Sequence, residues 1–202
     1  MKTRLLPVLT AQQAADLHQA FLEDLLPRLR QGNFDLQIAW AMETTEPVPM
    51  VSVESFLQEG EDLGARLFSG LSSVGREYEF VGAIGSDHPE LDTSRIEEAF
   101  RLLEAGAEVV LGPAADGGYY LFAARAAALE SSLFEGIEWS SQAVLAQTVE
   151  RCRALGLEPL LLPTGHDVDS PADLERLSQF IEGGEHECPH TESLLRSWGH
   201  LS

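Results

Sequence analysis

Two aspartates stand where a carboxylate could do chemistry. Asp87 lies in Gly85-Ser86-Asp87-His88-Pro89, directly after the apolar run Phe80-Val81-Gly82-Ala83-Ile84. Asp116 lies 29 residues further on, in Gly112-Pro113-Ala114-Ala115-Asp116-Gly117-Gly118-Tyr119-Tyr120. The order strand, carboxylate, helix, strand, carboxylate has about the length of one βαβ unit. In a parallel sheet both acids then sit at carboxyl ends of strands, where open α/β folds bind ligands. Asp87 could hold Mg²⁺ or Mn²⁺ against a diphosphate, because Mg²⁺ commonly takes one or two carboxylates plus phosphate oxygens. The alternative is a loop aspartate that accepts backbone N–H groups. Gly85 favours close backbone approach at this turn, and Ser86 adds a hydroxyl beside it. Asp116-Gly117-Gly118 reads equally as a hairpin turn or as backbone N–H groups turned toward a ligand. Gly112-Pro113 is expected to lengthen the loop beyond a simple connection, and the two readings stay even.

Two further segments carry candidates. In Asp167-Val168-Asp169-Ser170-Pro171-Ala172-Asp173, Ser170 as N-cap, Pro171 at the first helical position and Asp173 in the first turn are explained by helix initiation. Asp167 and Asp169 have no such explanation, and Asp169 is the better candidate for a metal ligand or base. Trp139-Ser140-Ser141 is expected to open a helix, with the serines as caps, its N-terminus available to a phosphate and Trp139 available to stack on a sugar or base. His88 and His166 are lone imidazoles without an assigned role. His186-Glu187-Cys188-Pro189-His190 fits no common zinc spacing, and Pro189 suggests a loop. Cys152 reads as a small buried apolar residue.

The elements that must position these residues alternate. Thr10 caps a helix over 11–31, with Ala14, Leu17, Phe21, Leu25 and Leu29 as its buried stripe and Pro27 as a kink or early end. A strand follows over 34–42, a loop over 43–50 and a short helix over 62–71. Tyr78–Ile84 is a strand, Thr93 caps a helix ended by Gly106, and Glu108–Leu111 and Tyr119–Ala123 are strands. A helical stretch near 125–132, a helix through Leu155 ended by Gly156, a strand at Pro159–Leu162 and a helix through Ile181 complete the pattern. Such alternation makes an α/β protein with a mostly parallel sheet and helices on both faces, expected as one domain over residues 1–202.

Charge narrows the partners. Thirty-three acids against thirteen bases give a net charge of −20, and Lys2 is the one lysine. Such a field repels nucleic-acid backbones, and it favours anionic ligands only where a divalent cation or local arginines intervene. The sequence has no run of about 18 apolar residues and no secretory leader, so a cytoplasmic protein without a membrane span is expected.

The chain resembles a bacterial family of uncharacterised transferases with the nucleotide-diphospho-sugar transferase fold of GT-A type. Members of that family are often described as glycosyltransferases associated with radical-SAM or selenocysteine-containing proteins. The resemblance rests on Lys2-Thr3-Arg4-Leu5, Gln58 through Arg66, Gly85 through Pro89, Gly112 through Leu121, Phe134 to Trp139, Asp167 to Asp173 and Cys188-Pro189-His190-Thr191. It implies a three-layer α/β/α sandwich and a metal-dependent transferase that takes a nucleotide-diphospho-sugar donor with Mg²⁺ or Mn²⁺. It further implies Asp87 and Asp169 on the metal, and Asp116 and Asp169 as catalytic carboxylates. Lys2, Arg4, Gly85, Ser86, Gly117, Gly118, Tyr119 and Trp139 would meet the substrate. Nucleotidylyl transfer from a nucleoside triphosphate to a phosphorylated small molecule, or a non-catalytic relative, are the alternatives. Related proteins usually carry an apolar strand and a Pro/Gly loop just before Lys-Thr-Arg-Leu, whereas this chain begins at Met1. The sheet is therefore expected to be N-terminally short, and a homodimer through its exposed edge is one way to complete it.

Overall fold

The computed structural model describes residues 3–41, 53–184 and 188–201. They divide into two compact units: residues 1–32, 85–93 and 165–202 form the first, and residues 33–84 and 94–164 the second. Among the described residues no helix is long and apolar enough to cross a membrane.

The first unit is built on α1 (Ala11–Leu29), α5 (Pro171–Glu182) and α6 (Pro189–Ser197). Thr10 closes a capping box with Gln13 at the start of α1, and the expected stripe is buried together with Ala20 and Asp24. Pro27 lies inside α1, which ends two residues later at Leu29. Its missing N–H leaves the Glu23 carbonyl without its helical donor, and the helix ends within the same turn. Leu17 and Phe21 of α1 pack with Leu5, Val168, Leu174, Leu177, Cys188 and Leu195 into the core of this unit. Pro189, expected in a loop, instead opens α6, a position where proline's fixed φ and absent N–H cost nothing.

Among the described residues the second unit holds six strands. β1 (Gln37–Trp40) and β2 (Glu54–Leu57) pair in parallel. β3 (Phe80–Ile84), β4 (Val109–Pro113), β5 (Tyr119–Arg125) and β6 (Leu160–Leu161) form a four-stranded sheet in the order β3-β5-β4-β6. β3, β4 and β6 point the same way, and β5 runs antiparallel to both neighbours. Helices α2 (Leu63–Val74), α3 (Thr93–Glu104, most of which belongs to this unit) and α4 (Val144–Ala154) connect them. β4 is buried at every position, as its unbroken apolar run predicts for an interior strand. The core joins Val81, Val109, Leu111, Phe122, Leu133, Phe134 and Cys152.

Several expectations change here. β1 starts at Gln37, and Phe34 ahead of it packs against Phe100 with ring centroids 6.2 Å apart. β2, a four-residue strand, is too short to leave a readable alternation. Gly112 and Pro113 belong to β4, so they do not lengthen the loop; a Cβ at Gly112 would lie 2.5 Å from the Tyr120 ring. The stretch after β5 forms two short 3₁₀ turns, Ala126–Ala128 and Ser131–Leu133. α4 begins at Val144 with Ala143 at its N-cap, and neither Ser140 nor Ser141 caps it. Its Leu145 N–H donates instead to the carbonyl of Gly117, 2.9 Å away. Residues 43–50 lie outside the described residues, apart from which Glu-rich 58–62 leads into α2 through the Asp62 cap.

Candidate functional site

The first unit gathers several of the predicted residues around the loop 85–91. Its backbone is held from three sides. Arg28 of α1 donates to the carbonyls of Pro89 (2.7 Å) and Leu91 (3.1 Å). The Cys188 thiol donates to Pro89 at 3.5 Å, and burial pushes that thiol up while Arg28 partly offsets the shift. Val168 N–H donates to the Asp87 carbonyl at 2.9 Å, which lays the 167–169 segment beside the loop. Arg176 of α5 pairs with Glu90 at 2.5 Å.

Two acidic segments thus become neighbours although 80 positions separate Asp87 from Asp167 in the sequence. The Asp87 side chain is 39% exposed and that of Asp169 34%. Arg4 reaches Asp169 at 3.8 Å, so two predicted site residues meet. Lys2 lies outside the described residues. His88 Nδ1 stands 4.0 Å from Asp167 Oδ1, and both side chains are largely buried. Asp173 does what its sequence position predicts. Burial alone would raise its carboxyl, but hydrogen bonds from Ser170 and Asp169 and the charge of Arg176 outweigh that and hold it below the usual range.

The residue that sequence reasoning missed is His18. It lies on α1, and its Nε2 is 2.9 Å from Ser86 Oγ and 3.6 Å from Asp87 Oδ1. Hydroxyl and carboxylate meet the same ring nitrogen, so this is no Ser-His-Asp relay, in which the acid would orient the ring from Nδ1. No local pattern around His18 marks it, since it occupies one polar position of an amphipathic helix. Gly85 has open space where a side chain would be: the nearest atom to an added Cβ is Asp87 N at 4.0 Å.

The donor set suits a hard divalent cation. Among the described residues no three His, Cys, Asp or Glu side chains converge as a metal cage. Asp87 and Asp169 offer carboxylate oxygens, and a Mg²⁺-class ion bound by one or two carboxylates takes its remaining ligands from phosphate and water.

The remaining predicted residues belong to the second unit. The β4–β5 hairpin turns through 114–118, with Ala114 N–H donating to the Gly118 carbonyl at 3.0 Å. Asp116 Oδ1 accepts Gly118 N–H at 2.9 Å, an Asx-type turn. Gly117 has φ +92° and no room for a side chain, since a Cβ would meet Gln142 O at 2.3 Å. Tyr119 packs on Phe122 (6.1 Å) and edge-on against Trp139 (6.4 Å). Burial holds the Tyr119 phenol well above its usual range, slightly offset by Thr148. Ser140 carries the one positive φ (65°) of a described residue other than glycine. His190 pairs with Glu23 at 3.2 Å, while His186 and Glu187 lie outside the described residues.

Comparison with known proteins places this geometry. Residues 28–141 match the family described as "Uncharacterized protein conserved in bacteria (DUF2064)". The chain belongs to that family. A Desulfovibrio desulfuricans G20 protein, provisionally named a nucleotide-diphospho-sugar transferase, is 31% identical over 98% of this chain and 88% of its own, with TM-score 0.88. The expected α/β class and the nucleotide-diphospho-sugar transferase-like fold are therefore present. Two more distant structures share the fold alone. CMP:2-keto-3-deoxy-manno-octonic acid synthetase complexed with CTP is 14% identical over 81% of this chain and 88% of its own, with TM-score 0.56. Molybdopterin-guanine dinucleotide biosynthesis protein A from Archaeoglobus fulgidus is 14% identical over 83% and 86%, with TM-score 0.50. A search of curated proteins gives no significant match.

Proposed function

We propose that this DUF2064 member is a transferase that takes a nucleotide-diphospho-sugar donor together with Mg²⁺ or Mn²⁺ and passes the glycosyl group to an acceptor. The observation that carries this reading is the bond from Val168 N–H to the Asp87 carbonyl, because it sets two acidic segments side by side in one unit. The provisional name of the 31% identical relative supports the same donor class.

In this reading Asp87 and Asp169 hold the cation, and Arg4 orients Asp169 until a diphosphate arrives. The cation would supply charge neutralisation on the departing diphosphate. Gly85 leaves the backbone open to a phosphate, and Ser86 offers a hydroxyl beside it. Asp116 is assigned separately as a carboxylate able to orient an acceptor hydroxyl, with Oδ1 engaged by Gly118.

The test is a panel of nucleotide sugars and nucleoside triphosphates, each with and without Mg²⁺ or Mn²⁺, followed by thermal shift and by product analysis. The expected result is stabilisation that requires both nucleotide and metal, with slow donor hydrolysis or glycosyl transfer, both lost in Asp87→Ala. Pyrophosphate release from a triphosphate and a phosphorylated acceptor would replace glycosyl with nucleotidylyl transfer. Binding without turnover of any donor would leave a non-catalytic nucleotide-binding relative.

A further inference from the structure

We infer that His18 is a ligand of the cation bound at Asp87, and that its ring nitrogen makes the site select Mn²⁺ over Mg²⁺. The inference rests on the reading that Asp87 holds a cation and adds the residue that decides which one. Its basis is a set of three donors facing one another within a single unit: His18 Nε2, Ser86 Oγ at 2.9 Å from it, and Asp87 Oδ1 at 3.6 Å. Two ligands that share an octahedral ion through bonds of about 2.1 Å stand about 3 Å apart. The histidine and aspartate atoms are thus close to bridging distance, and a small side-chain rotation brings both onto one ion.

The elements fix this arrangement independently of any ligand. α1 carries His18 and, ten residues on, Arg28, which anchors the same loop through the carbonyls of Pro89 and Leu91. The loop therefore cannot drift from His18 without breaking those bonds. The ligating form of the ring has its proton on Nδ1 and its lone pair on Nε2, the form in which Ser86 Oγ donates to Nε2. Ion preference follows from ligand type. Mg²⁺ demands oxygen donors and sheds water reluctantly, whereas first-row transition ions accept imidazole nitrogen. A site of carboxylate oxygens alone would lack that discrimination.

Pulsed EPR on the whole chain with Mn²⁺ and, in turn, UDP, GDP, CDP and ADP tests the assignment. Protein labelled with ¹⁵N-histidine should replace the ¹⁴N modulation of bound Mn²⁺ by that of ¹⁵N, a readout that needs no variant. The coupling should vanish in His18→Gln and persist in His88→Gln. Isothermal titration should show the Mn²⁺-over-Mg²⁺ preference falling about tenfold in His18→Gln, the scale on which metal-site residues act. Asp87-dependent Mn²⁺ binding without histidine coupling, or a coupling lost in His88→Gln instead, overturns the role of His18 and leaves the cation at Asp87 intact. Absence of any Asp87-dependent Mn²⁺ signal with all four nucleotides overturns both.

Discussion

Gly85 separates a binding role from a folding role more cleanly than any acid. Its φ is ordinary and an added Cβ meets open space, so Gly85→Ala should change stability by less than about 0.5 kcal/mol. If a diphosphate approaches the backbone there, the same change weakens nucleotide-plus-metal binding, measured by calorimetry. An unaltered affinity would remove Gly85 from the site. Gly117 is the opposite case, because its positive φ and the nearby Gln142 account for glycine without any ligand. Sequence reading treated the two glycines alike, since neither packing distance nor backbone angle is written in local composition.

Helix termini show the same division at the scale of elements. The start of α5 was legible: Ser170, Pro171 and Asp173 form a capping box with proline at the first turn. Asp173 also makes this terminus pH-sensitive. Its carboxyl is held below its ordinary value of 3.8, so the stability it contributes is full above that value and is lost as the pH falls through the lower, folded one. Asp173→Asn should therefore melt earlier than the parent at pH 6, with the gap closing as the pH falls below 3.8, as followed by circular dichroism. A gap that stays constant with pH would assign the effect to packing. The start of α6 was not legible, because Cys188 supplies no cap. Asp24, buried on α1, accepts the N–H groups of His190 and Thr191 (both 2.9 Å) and the Thr191 hydroxyl (2.6 Å). A cap supplied from 166 residues away leaves no local signature.

At the scale of the whole molecule the dominant property is charge. A net −20 over 202 residues disfavours the compact state through self-repulsion. The melting temperature should rise as sodium chloride increases from about 10 mM to about 200 mM, a range over which the screening length drops from about 30 Å to under 10 Å. A flat or falling curve in differential scanning calorimetry would show that specific ion pairs, such as Arg176–Glu90, outweigh the general field. The same excess of acid is why a nucleotide should bind poorly without a divalent cation.

Alone, the sequence determined the α/β class, the buried stripe of α1, the caps of α1 and α5 and the place of Asp87 and Asp116 in turns that follow strands. Each of these rests on a repeating or short-range pattern: apolar spacing, a residue before a helix, an acid after a strand. Tertiary structure decided that Gly112-Pro113 belongs to a strand, that Pro189 opens a helix, and that Val168 ties Asp169 to the Asp87 loop. It also decided that His18 faces Ser86 and Asp87. These depend on single contacts between residues far apart in the chain. Such contacts are worth as much as local ones once made, but they have no period and so leave no trace in the order of residues.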